Sequence, residues 1–261
     1  MRKALLIITL LSAFLSTGFS QVDSLFDAYL AEEDDALSRN IFLKIQSRCK
    51  KDLQCYQPVA HFLDSAARIT PLVCRTHYYL TNALFTSQLL AETKNAGTHG
   101  IRKIISYGPN KWLMLLHNTT ALAYGHLSMV DSALYHASQA EQLVRLLNEP
   151  TYAWRPDYSR YNAYESIHQG ELALLYLKRS YGYLKDSGDR MNRGFVLVEL
   201  LRLTSRQKNN EAFDEYLREY VQFQKEGNKS TDIIHANLQS LFKDNPDAIK
   251  ILEDKLRILE S

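Results

Sequence analysis

The chain has 261 residues, of which 31 are Lys or Arg and 29 are Asp or Glu, for a formal net charge of +2. So even a balance excludes the dense basic surface that nucleic acid requires and a polybasic helix lying on a membrane. Beyond the first twenty residues no run of about 18 apolar residues occurs, so no later segment is expected to span a bilayer.

Residues 1–20 have the layout of a secretory signal peptide. Arg2 and Lys3 form a basic start, Ala4 to Leu15 is apolar except for Thr9 and Ser12, and Gly18-Phe19-Ser20 is a small-x-small cleavage site before Gln21. The alternative is an uncleaved N-terminal anchor. The first Cys is Cys49, so no lipidated cysteine is expected at the cleavage point. Loss of residues 1–20 removes two basic side chains and no acidic ones, leaving 29 against 29. The mature chain is therefore expected to be exported, to a periplasm or out of the cell.

Almost every later segment carries the 3.6-residue period of amphipathic helices, and strict alternation is absent. Val22 to Ala31 reads as a short helix. A second is expected near Ala36–Arg48, with Asp35 as the candidate N-cap. A third is expected from about Pro58 to Arg68. Thr70-Pro71 is a strong start signal, a cap followed by Pro at the first helical position. The fourth helix is predicted to run from there to about Lys94, with a break at Asn95 to Gly100. A short helix from Ile101 to Tyr107 is predicted to end at Gly108-Pro109.

Cys49, Cys55 and Cys74 are the only cysteines. Cys49 and Cys55 flank Lys50 to Gln54, which reads as a loop, so the two would face each other across a hairpin mouth. Six residues apart in one helix they would lie about 9 Å apart along the axis and could not bridge. Exported chains meet an oxidising compartment, and the expectation is a Cys49–Cys55 disulfide with Cys74 free and buried. Three reduced thiols are the alternative.

From Trp112 onward helical hairpins recur. Val130-Asp131-Ser132-Ala133, Gly170-Glu171-Leu172-Ala173 and Asn210-Glu211-Ala212 are similar turns, and Pro246-Asp247-Ala248 is a fourth. Their alanines fall 40, 39 and 36 residues apart. Tyr124, Tyr164 and Leu203 stand nine residues before the first three. Asn245-Pro246 repeats the cap-and-proline start. A period near 40 with one hairpin per unit points to an α-solenoid, in which each hairpin buries its apolar face against the next.

These residues resemble the tetratricopeptide repeat (TPR) family: a small residue opening the second helix (Ala133, Ala173), an aromatic late in the first (Tyr124, Tyr164), and a second small residue (Ala140, Ser180). Trp112 to Asn148 matches best, Tyr158 to Leu184 less well, Arg193 to Gln224 and Asp232 to Leu259 least. Glu219 and Lys255 depart from the second small position. The resemblance implies an all-α, TPR-like α-solenoid of antiparallel hairpins, about 11–13 helices. The organisation expected is a signal peptide over 1–20, an N-terminal helical region over 21–108 and TPR-like repeats over 109–261. In this family the first helix of each hairpin lines the concave face. By alignment that face would present Asn118, Leu122, Tyr158 and Asn162 to a protein or peptide partner. No Lys accompanies the two Asn residues, so a clamp for C-terminal carboxylates is not implied.

No chemistry is legible. Of His61, His77, His99, His117, His126, His136, His168 and His235, none is four residues from another His or a Cys, and no zinc spacing occurs. His61 and Asp64 are three apart and could share a helix face. The glycine-rich phosphate loops and the G-x-S-x-G elbow are absent. No metal or cofactor is implied, and a non-enzymatic scaffold is expected. A sensory ectodomain or accessory subunit of an envelope signalling system is an alternative, and so is a helical enzyme or sugar-binding protein with an unrecognised site. Tyr152, Tyr158, Tyr161, Tyr164, Tyr176, Tyr181 and Tyr183, interleaved with Trp154, Arg155, Arg160 and Arg179, are either inter-helix packing or the lining of a groove, since Tyr, Trp and Arg are enriched at binding hot spots.

Overall fold

A computed structural model describes residues 21–227 together with Ser240 and Phe242. The expected signal peptide, His235 and the fourth turn with its Asn245-Pro246 start lie outside the described residues. The chain divides after Asn148 into two compact units. Unit 1 contains α1 (21–31), α2 (Asp35–Cys49), α3 (Gln57–Ser65), α4 (Pro71–Thr86), α5 (Leu90–Ile104), α6 (Lys111–His126) and α7 (Val130–Leu146). Unit 2 contains α8 (Trp154–Glu165), α9 (Gly170–Lys185), α10 (Arg190–Arg206) and α11 (Asn210–Glu226). No strand occurs among the described residues.

Starts follow from side chains that reach back to a free backbone N–H. Thr70 caps α4 by accepting from Val73 N, and Asn110 caps α6 by accepting from Leu113 N. The cap of α2 is Asp34, not Asp35: its Oδ1 accepts from Leu37 N at 2.8 Å, which is the third residue after it. Asp35 instead pairs with Lys111 at 3.0 Å and with the buried Arg75 at 3.5 Å. Arg75 also donates to the carbonyls of Glu32 and Glu33, so one guanidinium closes the end of the turn before α2. Cys49, the last residue of α2, is bonded to Cys55 in the short 3-10 turn Gln54–Tyr56. Cys74 is fully buried in α4, and burial pushes its thiol up to about 11.

The predicted helix from Pro71 to Lys94 is in fact two helices. The chain turns at Ser87-Gln88-Leu89, and the predicted break at Asn95–Gly100 lies inside α5. Gly97 and Gly100 serve close approach there, not a turn. A Cβ on Gly97 would collide with Thr120 Oγ1, and one on Gly100 would sit 3.0 Å from His77 Nδ1 and from Leu116 Cδ2. The α3 helix stops at Ser65, short of the expected Arg68.

The α4/α5 pair reveals a strict repeat. Gln88, Ser128, His168 and Lys208 are forty residues apart, and all four adopt the left-handed conformation, with φ of 59°, 57°, 60° and 56°. Each ends the first helix of a hairpin in the same way. The next residue's N–H reaches back five residues, as in Leu89 to Leu84, Met129 to Tyr124, Gln169 to Tyr164 and Asn209 to Thr204. This is the Schellman C-cap without its usual glycine. The second helices then begin at Leu90, Val130, Gly170 and Asn210, again forty apart.

This register shifts the third copy by one residue. The small position of Ala133 and Ala173 is Phe213, not Ala212, and that of Ala140 and Ser180 is Tyr220, not Glu219. The aromatic position of Tyr124 and Tyr164 is Thr204, not Leu203. Large and small have been exchanged between the two helices of that hairpin. The α11 helix consequently buries Phe213, Tyr216, Tyr220 and Phe223. Gly194 of α10 makes room for Phe223, since a Cβ there would lie 2.8 Å from its ring. Phe242 closes over Phe213, edge-on with centroids 5.7 Å apart.

Candidate functional site

The forty-residue register places Tyr78 and Asn82, Asn118 and Leu122, Tyr158 and Asn162, and Val198 and Arg202 at equivalent points of four first helices. Asn118 and Leu122 lie in unit 1; Tyr158 and Asn162 lie in unit 2. Asn118 is only 3% exposed, because α6 is covered on nearly every side by α4, α5 and α7. Leu122, Tyr158 and Asn162 are half-buried.

In unit 2 these positions border an aromatic surface on α8 and α10. The Tyr158 ring touches Trp154, Tyr161 and Phe195, with centroids 5.9, 5.4 and 5.5 Å away. Burial raises its hydroxyl pKa, and the nearby Glu199 raises it further. Asn162 Nδ2 donates to the Tyr158 carbonyl at 2.9 Å. Phe195 is 47% exposed, and Met191, one helical turn before it, is 75% exposed. Arg155 lies over the rings of Tyr152 and Trp154, and its Nε is buried without a hydrogen-bond partner. Arg202 pairs with Glu199 at 3.1 Å, and Arg206 pairs with Glu165. The surface thus joins exposed apolar side chains, half-buried Tyr and Asn, and three arginines.

Most of the remaining tyrosine cluster is packing, although Tyr183 is exposed. Tyr161 and Tyr181 are buried. Tyr164 stacks on Tyr176 with planes 7° apart, and Arg160 and Arg179 lie over the Tyr176 ring. Beneath them Asp157, buried in α8, is held by Arg160 Nη1 at 2.7 Å and Arg179 Nε at 3.1 Å. The fold is that of tetratricopeptide-like repeats.

Three solved structures share it. BtubC (BKLC) from P. vanneervenii superposes with a TM-score of 0.62 at 10% identity, over 83% of this chain and 93% of that one. A putative kinesin light chain from Podosopora anserina with nearly identical TPR-like repeats gives 0.55 at 14% identity, over 74% and 95%. A Rap protein complexed with Competence and Sporulation Factor gives 0.54 at 12% identity, over 93% and 76%. No protein-family model and no curated protein matches the sequence.

The tetratricopeptide-like core of unit 1 holds groups that spacing along one helix does not reveal. His117 of α6 and His136 of α7 meet at 3.0 Å between their Nδ1 atoms, and Tyr124 stacks on His136. His61 does not pair with Asp64; that carboxylate lies 3.7 Å from His99 of α5. Among the described residues no three His, Cys, Asp or Glu side chains are arranged to hold a metal, and no helix is long and apolar enough to cross a membrane. An open depression of about 600 Å³ beside α9 is lined by Gly170, Glu171, Leu174, Lys178, Gln207 and Asn209.

Proposed function

We propose that this chain is an exported, non-enzymatic TPR-like scaffold that binds a protein or peptide segment on the first-helix face of its repeats. The observation that carries this reading is the exposed Met191–Phe195 edge running onto Tyr158 and Asn162, with Arg155, Arg202 and Arg206 around it. Exposed apolar side chains grouped beside Tyr, Trp and Arg are the composition of a binding hot spot. A Rap protein of the same fold is complexed with Competence and Sporulation Factor, which supports ligand capture as a use of such hairpins. Leu122 holds the position equivalent to Asn162 within unit 1, where Asn118 is buried. Export rests on the signal-like pattern of residues 1–20, and the paired Cys49 and Cys55 suit an oxidising compartment.

The test is affinity capture from the native envelope fraction followed by mass spectrometry. The chain carrying Tyr158→Ala and Asn162→Ala together should keep its helical circular dichroism and lose the partner. An unchanged pull-down removes the reading. N-terminal sequencing of the mature protein should begin at Gln21, and a chain that keeps Met1 overturns export by cleavage.

A further inference from the structure

One register position runs through the core of the repeats. It is His77 in α4, His117 in α6, Asp157 in α8 and Leu197 in α10, each forty residues after the last and each buried. In unit 2 the acid at this position is held by Arg160 and Arg179. In unit 1 the position is filled by imidazoles. The His117–His136 contact joins α6 to α7, and the His77 ring lies beside His99 of α5 with centroids 5.9 Å apart.

The two kinds of pairing answer acid differently. At a 3.0 Å Nδ1–Nδ1 separation one nitrogen donates its hydrogen and the other accepts. A proton added to the accepting nitrogen leaves two N–H groups facing each other in a buried site. We propose that the buried imidazoles of α4, α6 and α7 are an acid-sensitive latch, so that protonation of the His117–His136 pair loosens unit 1 while unit 2 keeps its packing.

The α6 helix packs on α4, α5 and α7 within unit 1. Burial holds His117 down to about 4, with a smaller push from His136, and burial alone holds His136 at about 4. No carboxylate or ammonium of α4 or α5 shifts either ring. Tyr124 stacks on His136 and its hydroxyl meets Thr98 of α5. Burial also holds His77 at about 4; His99 and Lys103 of α5 lower it further and Asp64 of α3 opposes them. These pKa values lie below the ordinary histidine value of 6.5. The folded pairing is therefore complete above about pH 6.5 and is lost as pH falls from there towards 4. At pH 5 the shift favours the opened state by about 30-fold for each imidazole that titrates. An ordinary carboxylate titrates near 4, below this window.

The experiment is hydrogen exchange on the full chain at pH 7 and pH 5, with rates corrected for intrinsic exchange. Protection in α6 and α7 should fall by roughly 30-fold or more, while α8 to α11 change far less. Equal protection of α6 and α7 at the two pH values, or an equal loss in unit 2, overturns the proposal. His136→Phe keeps a ring against Tyr124 and removes one of the titrating groups, so it should make the acid response of α6 and α7 shallower; an acid loss as steep as the parent's overturns the latch. Should that variant not fold, NMR titration of the parent's imidazoles decides. Midpoints near 4 for His117 and His136 support the latch, and midpoints near 6.5 overturn it.

Discussion

The Tyr161 hydroxyl of α8 donates to Glu199 Oε2 of α10 at 3.1 Å, and twenty residues on Tyr181 of α9 donates to Glu219 of α11. Each bond links one hairpin to the same helix of the next, so both helical layers of unit 2 are stitched by a phenol and a carboxylate. Glu199 also takes Arg202, and Glu219 takes Lys185. Tyr161→Phe removes the donor and leaves Glu199 with its arginine. A loss of about 1.5–3 kcal/mol is expected by urea denaturation, the usual net contribution of a hydrogen bond to a charged group. Tyr181→Phe should cost a similar amount. No loss in either variant would mean that ring packing alone joins the hairpins.

The four left-handed turn residues give a prediction of opposite sign. None of Gln88, Ser128, His168 and Lys208 is glycine, yet each has φ near +60°. A side chain in that conformation costs roughly 1 kcal/mol relative to glycine. His168 and Lys208 have exposed side chains, so truncation there sacrifices little packing. His168→Gly and Lys208→Gly should each raise the stability of unit 2 by about 0.5–1 kcal/mol, read as a rise in Tm. A fall in Tm would show that the side chain stabilises the turn by more than the backbone conformation costs it.

The same turns explain what the sequence could and could not disclose. Turns carrying Asp131-Ser132-Ala133 or Glu171-Leu172-Ala173 stand out because the alanine is small and the period is long. Ser87-Gln88-Leu89 contains no Gly, Pro or Asn, and its copy has Thr93 where the others have Ala133 and Ala173. That hairpin was therefore hidden, while Gly97 and Gly100 suggested a break where they only admit Thr120, His77 and Leu116. The exchange of Tyr and Ala for Thr204 and Phe213 hid the true register of the third copy. Thr70-Pro71 and the Cys49–Cys55 loop were legible because cap, proline and loop closure are local. The His117–His136 contact was not, since nineteen residues and a turn separate its partners. Family alignment places Asn118 at a surface, but its side chain is buried in α6, most of whose residues are buried.

Closure of the small loop between Cys49 and Cys55 bears on unit 1 alone. The bridge encloses the end of α2 and the 3-10 turn that leads into α3, and both cysteines are buried in the same apolar core as Tyr56 and Val59. A loop of this length restricts the unfolded chain by about 2 kcal/mol on the chain-entropy estimate. Replacing both cysteines by Ala should lower the stability of unit 1 by about that amount and leave unit 2 unchanged, as read by hydrogen exchange segment by segment. Replacement of Cys74 alone by Ser should destabilise through its hydroxyl, because the thiol is fully buried in an apolar cluster with Ile101, Ile104, Leu113 and Leu116.

Asp157 is the converse of the histidine positions. It is 2% exposed and lies between Arg160, itself buried, and Arg179, about half of whose side chain meets solvent. Removing the Asp157 carboxylate takes from both guanidiniums the anion they share, one of them inside the protein. Removing Arg179 leaves Asp157 with Arg160 still 2.7 Å away. The two substitutions are therefore unequal. Asp157→Ala should cost about 3–5 kcal/mol, the range for breaking a buried pair from one side. Arg179→Ala should cost nearer 1 kcal/mol, as a half-exposed pair is screened by water. Urea denaturation of both variants at pH 7 measures the ratio. Equal costs would mean that Arg160 alone does not hold the buried carboxylate, and that Arg179 is a full partner despite its exposure.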